Sequence, residues 1–297
     1  MQTDIVAIIC GLGAGIGWGF SGFFDAKASK AIGPTVSSVL INCFVAAAYA
    51  LIYLLFLARH HAIYASGVWY AIASGATITI GALSYFRGLA VGPVSLVSPL
   101  SASYPLVTTL LALGIFGARP TLVQCGGICM IMIGVMAASG LLTARGVGRR
   151  SLQKGPVLGL FTAVMWGAGY AFASQAISRL GWQLASLLEF SAMAIAFGVF
   201  VPLVKAEHKL TRSSLARGLK NKYILLSGSI SLGAALALNI GLSREHSSGA
   251  IVSALSACYP VLTVILARRS FDETVAIIPL CGAFVSIAGV IILSLNF

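Results

Sequence analysis

The chain has 297 residues, of which 59% are hydrophobic and only 9% charged, and its mean hydropathy is +0.98. Water-soluble domains lie nearer about 45–50% apolar and about 25% charged, so this composition excludes a soluble fold and makes the lipid bilayer the solvent. The net charge of +12 would suit a nucleic-acid binder, but its placement, taken up below, excludes a nucleic-acid partner.

Ten apolar runs follow one another, at 5–24, 35–57, 67–86, 94–116, 121–142, 156–177, 184–204, 223–242, 249–267 and 275–295. Each is near the roughly 20 residues that a membrane helix needs. They are too long and too evenly apolar for the alternating strands of a membrane barrel. The expected fold class is therefore an all-α polytopic membrane protein with ten transmembrane helices. The N-terminus has no positive stretch of the signal-peptide kind, so the first run is expected to be a retained helix.

Run one carries Gly11, Gly15 and Gly19 on one helix face, a small-residue stripe that suits close helix packing, with a hinge as the functional alternative. Its literal G-x-G-x-x-G at Gly17, Gly19 and Gly22 lacks the preceding strand that a dinucleotide site requires. Trp18 ends this face. Run two brings Ile41 and Asn42, and run three ends on Tyr85. Run four holds Ser98, Ser101 and Ser103 among Pro93, Pro99 and Pro105, with Tyr104 before the last proline. A proline inside a helix frees a carbonyl and kinks the chain, which membranes tolerate beside a cavity or other polar groups. Cys125 and Cys129 in run five have no histidine or carboxylate nearby in sequence and read as small packing residues rather than metal ligands.

Residues 143–155 are Gly-rich and basic and read as a linker between halves, dividing the chain into 1–148 and 149–297. In run six Trp166 sits mid-span, away from the interface where tryptophan usually anchors. Cavity lining and core packing both remain open for it, and Tyr170 and Ser174 follow on its face. Run seven contains Glu189 about a turn from its start. It is the one acid placed clearly inside a span, and an intramembrane carboxylate is by default a functional candidate. It suits binding of a substrate ammonium group or carrying a coupling proton. Asn239 lies late in run eight. Run nine repeats the Tyr-Pro pair at Tyr259-Pro260, with Ser253 and Ser256 before it. Asp272 and Glu273 then suit the dipole at the start of the last helix.

Several of these features recur. Trp18-Gly19 returns as Trp166-Gly167, 148 positions later, and Ser103-Tyr104-Pro105 as Cys258-Tyr259-Pro260, 155 later; Gly127 and Gly134 return as Gly282 and Gly289. Five helices per copy is an odd number, so the second copy enters the membrane from the opposite side. The repeat is inverted, and such pairs place a substrate site at their interface near the midplane. The basic residues orient it. Loops after odd-numbered runs hold 15 Lys and Arg against four in the other loops and none at the termini. Cytoplasmic loops carry that excess, so both termini are expected on the non-cytoplasmic side. The stretch Lys205–Lys222 reads as a solvated positive loop, with anionic headgroups as an alternative partner. No P-loop, no H-E-x-x-H and no pair of intramembrane carboxylates appears, so no cofactor, no resident metal and no catalysis are expected.

The Trp-Gly of each half, and the run from Ser256 through Tyr259-Pro260 and Phe271-Asp272-Glu273 to Gly289-Val290, resemble the EamA-type branch of the drug/metabolite transporter superfamily, bacterial amino-acid exporters of the YddG type in particular. Ala118 departs from the acid common there. The resemblance implies a basket of ten helices around a central cavity and export of amino acids or other small metabolites. Taken with the residues, it makes Trp18, Asn42, Tyr85, Ser98, Tyr104, Trp166, Glu189, Asn239 and Tyr259 the expected substrate cavity. The expectation is a secondary transporter of amino acids, aromatic ones included, in a bacterial inner membrane, its partners the bilayer and a small-molecule substrate, with a monomer sufficient and proton coupling open. The alternatives are a carrier of drugs or sugar derivatives, and a passive channel.

Overall fold

A computed structural model describes residues 5–57, 64–116, 121–138, 149–203, 210–242, 255–256, 259–271 and 277–294. Among them all regular structure is helical: α1 (Ile5–Ile32), α2 (Pro34–Ile52, drawn out by a π turn over Tyr53–Leu57), α3 (Ala65–Val91), α4 (Val94–Ser101), α5 (Tyr104–Phe116) and α6 (Leu122–Ala138) in the first half. The second half holds α7 (Arg149–Leu180), α8 (Trp182–Phe200), α9 (Arg212–Leu219), α10 (Lys222–Leu242), α11 (Tyr259–Ser270) and α12 (Ile277–Ser294). Six of these, α1, α2, α3, α7, α8 and α10, are long and apolar enough to cross a membrane, and α6 and α12 hold shorter apolar runs. Large apolar side chains such as Phe56, Leu122 and Ile195 point outward, whereas Ser37, Ser74, Thr162, Ser227 and Thr263 are fully buried. That is the arrangement lipid selects, because inward-facing hydroxyls find protein partners. The protein is an all-α polytopic membrane protein made of two repeats.

Three elements differ from the sequence reading. Helix α1 continues eight residues past its expected end at 24, because Asp25, Lys27 and Lys30 lower its hydropathy without ending its hydrogen bonding. Run four is broken rather than kinked: α4 stops at Ser101 and α5 starts at Tyr104, so Pro105 falls in a first turn, where its missing N–H costs nothing. The basic loop contains a helix, α9, closed by a reciprocal capping box in which Ser214 N–H donates to Thr211 Oγ1 at 3.1 Å and Thr211 N–H to Ser214 Oγ at 2.9 Å. Residues 143–148 of the linker, the acids Asp272 and Glu273, Ser253, Cys258, the four histidines and Arg59, Ala118, Arg119, Arg145, Lys205, Lys209 and Arg244 lie outside the described residues.

Both repeats open with a helix hairpin turned on glycine. Gly33 joins α1 to α2 with φ 94° and ψ 147°, and Gly181 joins α7 to α8 with φ 75° and ψ 155°. The two are 148 positions apart, and only glycine occupies this region without strain. Gly33→Ala or Gly181→Ala is expected to cost about 1–3 kcal/mol and to lower the melting temperature by several degrees, read by thermal unfolding in detergent.

The Trp-Gly and Tyr-Pro pairs that mark the repeat are packing partners, crossed between halves. A Cβ on Gly19 would lie 3.0 Å from the Tyr259 carbonyl oxygen and 2.8 Å from Leu262 Cβ; one on Gly167 would lie 2.7 Å from the Tyr104 carbonyl oxygen and 2.5 Å from Val107 Cβ. Beside each contact a threonine hydroxyl bonds the glycine carbonyl, Thr263 to Gly19 at 2.9 Å and Thr108 to Gly167 at 3.0 Å. Helices α6 and α12 cross in the same reciprocal way. Gly134 meets Gly282, and Gly289 meets Gly127. Because 127 pairs with the equivalent of 134 and 134 with the equivalent of 127, the two helices are antiparallel about a twofold axis perpendicular to them. In a membrane that axis lies in the bilayer plane, and the repeat is inverted.

The packing also sorts the ends of the bundle. Tyr49, late in α2, packs against Phe190 with the rings tilted at 48° and donates to the carbonyl of Gln183 at 3.4 Å, so α8 begins where α2 ends. The Gly33 hairpin therefore sits at one end, beside α9, whose Gly218 abuts Val36 and Leu40. The Gly181 hairpin sits at the other, beside the start of α3, whose Gly67 abuts Leu180. Lys27, Lys30, Arg212, Arg217, Lys220 and Lys222 share the first end, and Arg179 lies at the second.

Candidate functional site

The helices enclose a cavity of about 590 Å³ between the halves. Of the nine candidate residues, Trp18, Asn42, Tyr85, Tyr104, Trp166, Glu189, Asn239 and Tyr259 line it. Ser98 does not; it is fully buried within α4 and is not part of the lining.

Eight aromatic side chains, among them Trp18, Tyr85, Tyr104, Trp166, Tyr170 and Tyr259, contribute to the wall. Tyr85 packs on Trp166 with ring centroids 5.0 Å apart, and Tyr104 packs on Tyr170 at 4.7 Å. Trp166 is seated by Gly81 of α3, where any Cβ would fall 2.5 Å from its Cδ1. Its indole N–H has no acceptor among the described residues, and a buried indole N–H ordinarily finds one. Tyr259 shares a hydrogen bond with Ser101 at 3.3 Å.

Polar groups are few and placed. Glu189 accepts a hydrogen bond from Ser74 of α3 at 3.0 Å. The Asn239 amide donates to Ser186 at 3.3 Å, and the Asn42 amide to the Ser38 carbonyl at 2.8 Å. These amides keep further capacity toward the cavity.

The sequence reading missed Asp25. It lies on the extended part of α1, is buried, lines the cavity and accepts a hydrogen bond from Ser227 of α10. The cavity thus holds two carboxylates where one intramembrane acid was expected. The signal was present, because the 148 offset pairs Asp25 with Ala173 as it pairs Glu189 with Ile41. Phe190, Thr108 and Ser186 also enter the lining, their orientation being set by helix rotation that a run of apolar letters does not fix. Among the described residues no group of three or more His, Cys, Asp or Glu gathers as a metal site would require.

Comparison with known proteins agrees with this architecture. The EamA-like transporter family matches residues 5–140 and 153–295. A protein of Archaeoglobus fulgidus described as an uncharacterized transporter is 26% identical over 298 residues, covering 98% of this chain and 99% of its own. A solved crystal structure shares the fold, with a TM-score of 0.63 at 16% identity over 100% of this chain and 99% of that one. With its two halves each matched in turn, the chain belongs to the EamA-like transporter family of the drug/metabolite transporter superfamily.

Proposed function

We propose that this transporter exports amino acids, aromatic ones among them, across a bacterial inner membrane by alternating access. One observation carries the reading: a cavity with several aromatic rings in its wall lies between two inverted repeats, with Glu189, Asn239 and Asn42 among its lining residues. Aromatic walls bury an apolar side chain, worth about 1.5–3 kcal/mol for a residue of the size of leucine or phenylalanine. Glu189 receives the ammonium group, and the asparagine amides and the Trp166 N–H offer donors to the carboxylate.

Alternation follows from inversion. The two halves make equivalent contacts crossed over the axis, so exchanging their postures moves the opening from one side to the other. The first-end lysines and arginines support reading the Gly33 end as the cytoplasmic one, and on this reading it is the loading side for export. In proteoliposomes an imposed phenylalanine gradient is expected to drive flux that saturates with concentration. Absence of saturable flux for every amino acid would remove this reading.

A further inference from the structure

The two cavity carboxylates occupy matching places in the two halves without being equivalent residues. Asp25 precedes the hairpin glycine Gly33 by eight positions, and Ile41 follows it by eight. Ala173 precedes Gly181 by eight, and Glu189 follows it by eight. Eight residues are about 12 Å of helix rise, so these four positions form two opposed pairs, one pair toward each end of the bundle. All four line the cavity. Each pair holds one acid and one apolar residue, with the acid on the first helix of one hairpin and on the second helix of the other.

Each acid also meets the same partner. Ser74-Gly75 of α3 and Ser227-Gly228 of α10 are the corresponding dipeptides of the third helix in each repeat. Both serines are fully buried. Ser74 donates to Glu189 and Ser227 to Asp25. Gly75 admits the α8 backbone, where a Cβ would lie 2.6 Å from the Glu189 carbonyl oxygen, and Gly228 admits the ring of Phe44 on α2, the counterpart of Ala192 on α8. In each case the third helix of one half presents a serine to an acid from the other half.

No Lys, Arg or His is among the described lining residues. Lys27, two residues from Asp25, turns instead onto the rings of Phe23 and Tyr223, 4.6 and 5.4 Å from their centroids. A carboxylate accepts up to about four hydrogen bonds, and each acid has one donor among the described residues. Two cavity-lining acids, Asp25 buried and Glu189 partly buried, with no Lys, Arg or His among the described lining residues, match a cationic cargo and oppose an anionic one.

We propose that Asp25 with Ser227 is a second ammonium-binding end of the cavity, the counterpart of Glu189 with Ser74, and that the cargo must therefore carry an amine. As access alternates, the amine passes from one carboxylate to the other. This rests on the transport reading and adds a substrate requirement to it: amines and zwitterionic amino acids enter, and purely anionic compounds do not.

Calorimetry on the detergent-purified chain tests this with phenethylamine, L-phenylalanine and 3-phenylpropionate as probes. The first two are expected to bind and the third not. Asp25→Asn is expected to weaken phenethylamine about tenfold or more, and Ser227→Ala about threefold. Adding Ile41→Glu to Asp25→Ala places the acid as the other half has it, and is expected to restore affinity to within about threefold of the native chain. If Asp25→Asn does not yield a monodisperse protein, Ser227→Ala supplies the reading. Binding of 3-phenylpropionate as tight as that of phenethylamine overturns the proposal, as does amine affinity unchanged in either single variant or unrestored in the double one. Because binding is read without transport, the two readings fail separately. Amine binding through Asp25 in a chain that moves nothing defeats transport alone. Amino-acid flux with amine affinity indifferent to Asp25 defeats this proposal alone.

Discussion

Glu189→Gln is expected to raise the KM for amino-acid flux by roughly ten- to a hundredfold while leaving the fold intact. A hydrogen bond to a charged partner contributes about 1.5–3 kcal/mol, and each 1.4 kcal/mol is about a factor of ten. Glutamine is nearly isosteric, and its carbonyl oxygen still accepts the hydroxyl of Ser74, which stands 3.0 Å from the native carboxylate. The Tyr49–Phe190 ring contact and the approach of Gly75 to the α8 backbone do not involve the charge. Thermal melting should therefore stay within a few degrees of the native value while substrate flux falls. Unchanged flux in a folded Glu189→Gln protein would mean that the side chain serves only the packing of α8 against α3 through Ser74.

Gly134→Leu is expected to unfold or badly destabilise the protein without touching the cavity. A Cβ at this position would lie 2.4 Å from the Ser286 backbone nitrogen and 2.6 Å from the Gly282 carbonyl oxygen. Both are backbone atoms and cannot step aside. Overpacking of this kind costs about 1–3 kcal/mol and occasionally more. At roughly 2–4 °C per kcal/mol for a chain of this size, the melting temperature should fall by about 2–12 °C. Gly289→Leu should do the same, since Gly289 meets the Ile131 nitrogen at 2.7 Å and the Gly127 oxygen at 2.8 Å across the pseudo-twofold axis. Gly126, on the same helix, has open space at its Cβ, and Gly126→Leu should melt near the native temperature. Equal melting of Gly134→Leu and Gly126→Leu would contradict the reciprocal crossing of α6 and α12.

Much of this was legible in the letters. Membrane helices announce themselves through lipid-facing residues, so hydropathy located the spans, and the spacing of Trp-Gly and Tyr-Pro exposed the repeat. Those pairs are legible because geometry demands them: Gly19 and Gly167 are the points where a first helix touches the backbone of the other half's Tyr-Pro segment. What hydropathy loses are polar residues that face a neighbouring helix. Asp25 closed the first span prematurely because a carboxylate costs a hydropathy sum the same whether it meets lipid or Ser227. Ser98 was drawn toward the cavity by its neighbours Pro99 and Ser101, but the rotation of α4 buries it inside the packing. The break between α4 and α5, and the helix α9 within the basic loop, depend on local hydrogen bonds such as the Thr211–Ser214 box, which apolar counting does not register.

The asymmetric positions now have a physical role. The symmetric residues build a scaffold with two postures, and the exceptions, Asp25 against Ala173 and Glu189 against Ile41, put charge into it. The most direct test of the account is counterflow. Proteoliposomes preloaded with unlabelled phenylalanine and diluted into a trace of labelled phenylalanine are expected to take up label transiently above its equilibrium level, because unlabelled substrate inside competes with the label for the inward-facing site and slows its exit. Uptake that rises without overshoot, in step with flux that never saturates, would identify an open pore and contradict alternating access.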